Sequence, residues 1–235
     1  MNFLVRKTHK YLSILISIQL LLWTISGIYF AFNQIELVRG EQYRLPQVFS
    51  VDLSKVNLVL DSVNSIQVAR RFGEEILIVR KEAGIEYLNL EGVALEKLSK
   101  TQATSIVSVA TSLTPLAVEE IIDPEPGSEY RGRNLPLYKV ATKDQENKQI
   151  NVYVDAISGQ VVAIRSEQWR LWDLMWGLHI MDWETRDEIN NWLLKLFSVL
   201  ALISSLTGVL IFFRWDWKSV SYTHLRAHET PEHRV

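Results

Sequence analysis

The chain has 235 residues, with 25 Lys/Arg against 27 Asp/Glu for a net charge of −2, and 48% of its residues are hydrophobic. That near-neutral balance, without a basic stripe, excludes nucleic acid as a partner. The chain holds no cysteine, which excludes disulfides, thiolate iron–sulfur ligation, covalent haem attachment and a thiol nucleophile.

Residues 11–32 read YLSILISIQLLLWTISGIYFAF and carry no charge. At about 1.5 Å per residue, such a helix crosses the roughly 30 Å hydrocarbon core. Arg6, Lys7 and Lys10 before it resemble the basic start of a signal peptide. The apolar run, however, exceeds the roughly 7–15 residues of a signal sequence, and no small-x-small cleavage site precedes Asn33. The segment reads as an uncleaved anchor.

Residues 33–191 carry 17 Lys/Arg against 24 Asp/Glu and are too long for a connecting loop. Apolar residues at Leu53, Val56, Val59, Leu60 and Val63 predict a helix over 52–63. EILIVRKE from Glu75 and IEYLNL from Ile85 read as strands, with turns at Ala83-Gly84 and Glu91-Gly92. Ser99 opens a second helix, with Gln102 placed as its capping-box partner. LAVEEII from Leu116 reads as a strand and Pro124–Asn134 as a loop. LPLYKVATK and QINVYVDA alternate as a hairpin about Asp144–Lys148, and SGQVVAIR follows from Ser158. The order is helix then strands, twice, so one α+β unit or two related ones fit.

The segment 169–183 places Trp169, Trp172, Trp176, His179, Ile180 and Trp183 on one helical stripe, with Arg170, Asp173 and Asp182 as polar relief. A tryptophan-rich amphipathic helix beside a membrane span fits an interfacial belt. The second span, residues 192–213, reads WLLKLFSVLALISSLTGVLIFF; its one charge, Lys195, lies in the first turn and can snorkel. Gly27 with Ala31, and Ser204 with Gly208, are small-xxx-small pairs that allow close helix approach; either each receives a bulky residue of the other helix, the reading preferred here, or they mark self-association. Arg6, Lys7 and Lys10 precede the first span and Arg214 and Lys218 follow the second, which puts both termini in the cytoplasm.

The tail contains VSYTHLRAHET at 220–230, which resembles a translated sequencing adapter joined to a truncated gene. The pair His224 and His228 is therefore not read as a metal site. The expected organisation is 1–10 cytoplasmic, 11–32 first transmembrane helix, 33–168 periplasmic α+β region, 169–190 interfacial helix, 191–213 second transmembrane helix, 214–218 cytoplasmic and 219–235 adapter-derived.

THKYLSILISIQLLLWTISGIYFAF resembles the first helix of PepSY-associated transmembrane proteins. LYKVATKDQENKQINVYVDAISGQVVAI is similar to the hairpin end of a PepSY domain, with Asp155, Ser158 and Gly159 at its Asp and turn positions. LWDLMWGLHIMD, followed by a helix ending SSLTGVLIFFRW, also resembles the family. The resemblance implies a membrane-anchored α+β fold: two transmembrane helices flank a periplasmic PepSY-like domain of helix plus antiparallel sheet, single or duplicated. It implies two classes of function. PepSY domains resemble inhibitory pro-regions of secreted metallopeptidases, which suggests a non-catalytic regulatory or binding module of the bacterial inner membrane. Its partners would be the lipid bilayer, a periplasmic protein or peptide, and in some readings a second copy. Larger relatives include haem-bearing ferric-siderophore reductases, and some are fused to flavin/NAD domains.

The leading reading needs no cofactor. In the alternative, haem b would be held at His179 or His9, the two histidines before the tail. They lie at opposite ends of the first span, so one chain cannot close both onto one haem, whereas a dimer, a second subunit or further helices could supply partners. Glu119, Glu120, Asp123 and Glu125 form the densest carboxylate cluster and sit near Arg131 and Arg133, which reads as a solvated, salt-bridged rim. No paired Ser and His and no Gly-rich phosphate loop lies in the central region, so no catalytic centre is assigned.

Overall fold

A computed structural model describes residues 3–46, 50, 52, 56 and 61–219, with side chains to Phe213. The expected helix over 52–63 falls largely outside the described residues, as does the tail from 220. Two compact units result.

The first unit comprises α1 (Phe3–Phe32) as far as Ile28, residues 177–183, and the chain from Asp187 through α5 (Trp192–Ser219). The apolar runs expected at 11–32 and 192–213 are both helical, and both helices are long and apolar enough to cross a membrane. α5 starts where Asn191 caps it, its Oδ1 accepting the Leu194 N–H at 2.8 Å. Lys195 reaches back to Asn190 Oδ1 at 2.5 Å, the direction in which a first-turn lysine escapes hydrocarbon.

The second unit runs from Tyr29 to Trp176 and takes in residues 184–186. It opens with the short α2 (Ile35–Val38) and a 3-10 turn at Glu41–Tyr43. An antiparallel sheet of β1 (Val63–Arg71), β2 (Glu74–Lys81) and β3 (Gly84–Asn89) follows in sequential order. α3 (Lys100–Ala110) then precedes a second antiparallel sheet, ordered β4 (Thr114–Ile121), β5 (Leu137–Lys143), β6 (Gln149–Asp155), β7 (Val161–Arg165). α4 (Glu167–Ile180) enters from β7. Strand β1 was missed because Val63–Arg71 alternates poorly; most of its residues are exposed.

The Ser99–Gln102 capping box forms with both bonds, at 3.2 and 2.8 Å. It aims the apolar stripe of α3 at one face of the second sheet, where Ala103 and Val107 meet Tyr138, Val140, Val152 and Ile164. The opposite face is covered by the long loop 122–136, whose Tyr130 and Leu135 pack on Leu137, Tyr153 and Ala163.

The motif Asp155-x-x-Ser158-Gly159 makes the turn into β7. Asp155 Oδ1 accepts the Ile157 and Ser158 N–H groups at 3.0 and 2.7 Å, and its Oδ2 accepts the Tyr87 hydroxyl at 2.9 Å. One carboxylate therefore closes a turn and ties the first sheet to the second. Burial and the Asp155 charge both push the Tyr87 hydroxyl well above the usual tyrosine range, so it remains a donor. Gly159 has φ +72°, and a Cβ there would lie 2.8 Å from Ile106 Cδ1. Gly159→Ala therefore meets both a left-handed backbone and a crowded core. We expect it to lower the unfolding free energy of the α+β region by about 1–3 kcal/mol, read by denaturant titration of the full chain in detergent; an unchanged midpoint would contradict the packing.

Candidate functional site

Two groups of side chains carry chemistry. The first lies on the loop-covered face of the second sheet. Glu119, Lys139 and Tyr153 are cross-strand neighbours on β4, β5 and β6, so all three point to that face. The loop rises beside them and leaves a groove of about 540 Å³, floored by Glu119, Lys139, Asn151 and Tyr153 and walled by Asp123, Glu125 and Glu129.

Glu129 organises the wall. Its Oε2 accepts from Asn151 Nδ2 and the Tyr153 hydroxyl, both at 2.8 Å, and its Oε1 accepts from Arg170 Nε at 2.6 Å. Burial by itself raises the Glu129 carboxyl, but these donors and the Arg170 charge outweigh it, and the group titrates below the ordinary carboxylate range. Its backbone carbonyl takes Arg165 Nε at 2.9 Å. The Arg165 guanidinium stacks 4.2 Å from the Trp169 ring. Desolvation, followed by the charge of Arg133, pushes Arg165 down to about 10, still cationic at neutral pH.

A second clamp lies alongside. Asp173 is 1% exposed and is held by Arg131 from the loop and by Arg186 Nη1 at 2.6 Å. Gly127 adds a close approach: with φ +68°, a Cβ there would collide with the Glu184 carbonyl oxygen. Asp173 was expected as polar relief on an interfacial helix, and it is instead the buried hub of two ion pairs. A carboxylate among tryptophans reads as solvated until its cations, 42 and 13 positions away, are known. Trp169, placed on the expected lipid stripe, is 9% exposed and packs on Arg165. Trp172 and Trp176 do stack on each other, centroids 5.6 Å apart, with Phe30 5.1 Å from Trp172. Trp183 lies beyond the end of α4 at Ile180.

Of the expected acidic rim, Glu119 pairs with Lys139 at 3.6 Å and Glu120 with Lys97 at 2.6 Å. Arg131, expected as its counterion, pairs with Asp173 instead.

The second group surrounds the two histidines, within the first unit. His179 Nδ1 lies 2.7 Å from Ser26 Oγ. The Ser26 hydroxyl also lies 2.7 Å from the Leu22 carbonyl, so it links the imidazole to the α1 backbone. Trp23 Nε1 donates to the His179 carbonyl at 2.7 Å, and Gln19 Nε2 to the Leu178 carbonyl at 3.3 Å. Residues 178 and 179 therefore lie beside the middle of the α1 apolar run.

His9 Nδ1 is 3.1 Å from the Ser204 carbonyl and 3.1 Å from Thr207 Oγ1, and Ser13 Oγ is 2.9 Å from Ser204 Oγ. A carbonyl can only accept, so in the contact with Ser204 the His9 Nδ1 is the donor. Its ring packs where Gly208 has no side chain, with Cε1 3.1 Å from the site a Cβ would take. The Ser204/Gly208 pair thus receives a bulky residue of the other helix, as expected for packing within the hairpin; Gly27 has nothing within 4 Å of its missing Cβ. On α1, His9 and the His179 partner Ser26 are 17 residues apart, about 25 Å along a helix. The structure does not bring the two histidines together.

Asp173→Asn leaves two arginines facing a neutral amide in a largely dry site. We expect a loss of about 3 kcal/mol of stability, read by urea unfolding of the full chain in detergent. Glu167→Gln, at a side chain 80% exposed in its pair with Arg170, should change stability by less than about 0.5 kcal/mol. Equal effects would overturn the hub assignment.

The family model described as PepSY-associated TM region matches residues 6–234. No curated protein and no solved structure matches the chain. With an apolar helix of membrane-spanning length at each end of an α+β region and a family match over nearly its whole length, the chain is a membrane protein and belongs to the PepSY-associated transmembrane family.

Proposed function

We propose that the chain is a non-catalytic binding and regulatory module, anchored in the bacterial inner membrane with residues 33–168 in the periplasm. Its partner is a protein or peptide there, and restraint of a peptidase is the form of regulation the family resemblance favours. One observation carries the reading. The carboxylates buried among the described residues, Asp155 and Asp173, are both tied into turns and ion pairs. The half-buried Glu129 is likewise fully engaged by three donors. These groups hold a shape and leave none in the position of a general acid or base. The basic residues flanking the apolar runs support the orientation.

A second reading is favoured by the imidazoles. In each, Nδ1 lies within hydrogen-bond distance of an oxygen, the Ser204 carbonyl for His9 and the Ser26 hydroxyl for His179, and histidines that bind metals are commonly oriented through such a contact at the other ring nitrogen. Haem would supply one-electron transfer, and His9 or His179 would hold it with a ligand from a second copy or another subunit. Within one chain the two histidines cannot share it.

Two measurements test these readings. The chain has no cysteine, so a single one introduced as Glu146→Cys or Lys7→Cys is the only thiol. In intact spheroplasts a membrane-impermeant maleimide should label the first and reach the second only after lysis; the reverse pattern would sink the orientation. Titration of the purified chain with haemin should leave the free-haemin spectrum unchanged. A shifted Soret band abolished by His179→Ala or His9→Ala would replace the leading reading with the second.

A further inference from the structure

The second sheet has two edges, and they are treated differently. On the β7 side, the segment after α2 packs against the strand. Arg44 Nη1 donates to the Val161 carbonyl at 3.0 Å, and Gly40 sits so close to Ile164 that a Cβ would lie 2.7 Å from its Cγ2. On the β4 side, among the described residues, no strand lies beyond β4. A free edge presents a row of backbone donors and acceptors, and proteins usually blunt it. Here only the start is blunted, by Pro115 and by the bulge at Leu116. From Ala117 to Ile121 the register with β5 is regular, so the outer side of these residues is a straight template.

The chemistry along that template is one-sided. Side chains alternate between faces, so Ala117, Glu119 and Ile121 share the loop-covered face, where Glu119 and Ile121 line the groove. The groove is lined by five carboxylates against one lysine. Glu129 is consumed by its own donors, and Lys139 reaches only Glu119, at 3.6 Å. Asp123 and Glu125 have no cation in ion-pair distance among the described residues. Leu116 and Ile122, at the two ends of the template, are 57% and 64% exposed. An occupant of this edge must supply backbone partners, positive side chains over Glu119, Asp123 and Glu125, and apolar residues at either end. Phosphate, nucleic acid and acidic lipid surfaces are repelled by the same carboxylates.

We propose that the outer edge of β4 accepts an extended, lysine- or arginine-bearing segment of a partner protein, which adds a fifth strand to the second sheet and sets alternate basic side chains into the groove. The proposal deepens the binding-module reading and rests on it. Backbone pairing supplies affinity and the carboxylates choose the partner, the division of labour of strand addition elsewhere. The loop clamped through Glu129 and Asp173 keeps the far wall in place, so the groove is formed before the partner arrives.

The test uses the full chain in zwitterionic phosphatidylcholine nanodiscs, which do not attract basic peptides. The probe is a fluorescein-labelled heptapeptide alternating lysine with valine and threonine; its counterpart has glutamate for lysine. The lysine probe should bind at least about tenfold more tightly by anisotropy. Triple replacement Glu119→Gln, Asp123→Asn, Glu125→Gln, all at the rim, should weaken it by about tenfold or more. Amide hydrogen exchange with saturating probe should slow across 117–122 and leave β1 and β7 unchanged. Equal affinity for the two probes, no binding below about 1 mM, or protection on another edge would overturn the β4 assignment. Protection on another edge leaves the binding-module reading standing, whereas a haem Soret band that depends on His179 or His9 removes that reading itself.

Discussion

The α+β unit depends on one buried ion-pair hub, Asp173 held between Arg131 and Arg186. The face of the second sheet opposite α3 carries Leu137, Tyr153 and Ala163, which need cover. What covers them is a loop rich in proline, glycine and charge, a composition that makes poor apolar contact. Ion pairs do what apolar area cannot. Arg131 anchors the loop to Asp173, and Glu129 anchors it to Arg170, Asn151 and Tyr153. Such pairs add little net stability compared with a well-packed apolar surface, but breaking one leaves a charge without water or partner. The groove owes its fixed wall to that asymmetry.

The apolar helices follow the same logic with smaller groups. In hydrocarbon a polar side chain finds a partner within the protein or not at all. Ser13 meets Ser204, His9 meets the Ser204 carbonyl, and Ser26 meets His179. The fully buried residues of α1 are Ile16, Gln19 and Ser26, and Ser13, Leu22 and Trp23 beside them are half-buried, so polar positions share the side of the helix that meets its neighbours. Gly208 completes the fit by leaving room for an imidazole.

The two edges of the second sheet differ in what lies against them. β7 is covered by the segment that follows α2, whereas among the described residues no strand lies beyond β4. Closing β4 would have required one more strand or a longer bulge; the sheet instead ends beside an acidic groove. The buried carboxylates Asp155 and Asp173 are engaged in a turn and in ion pairs, whereas Glu119 and Glu120 lie along β4 and Asp123 and Glu125 on the loop that follows it.

The membrane helices, the capping box at Ser99, the hairpin of β5 and β6 and the turn at Asp155 were legible in the sequence, because each depends on residues within a few positions of one another. Periodicity, a cap and a turn are local consequences of backbone geometry. Strand β1 was not legible, since a strand exposed on most of its length has no alternation to display. Nor were the roles of Asp173 and Trp169, which the helical stripe placed in water and at the membrane surface, or of Glu129 within the loop expected at 124–134. Their partners lie up to 42 positions away, and no local pattern indicates whether a carboxylate among tryptophans meets water or two arginines. The sequence by itself determined the fold class, the two apolar helices, most of the strands and the family. Tertiary structure decided which charges are buried, which histidine meets which serine and which sheet edge stays open, because burial and pairing are properties of segments brought together by folding.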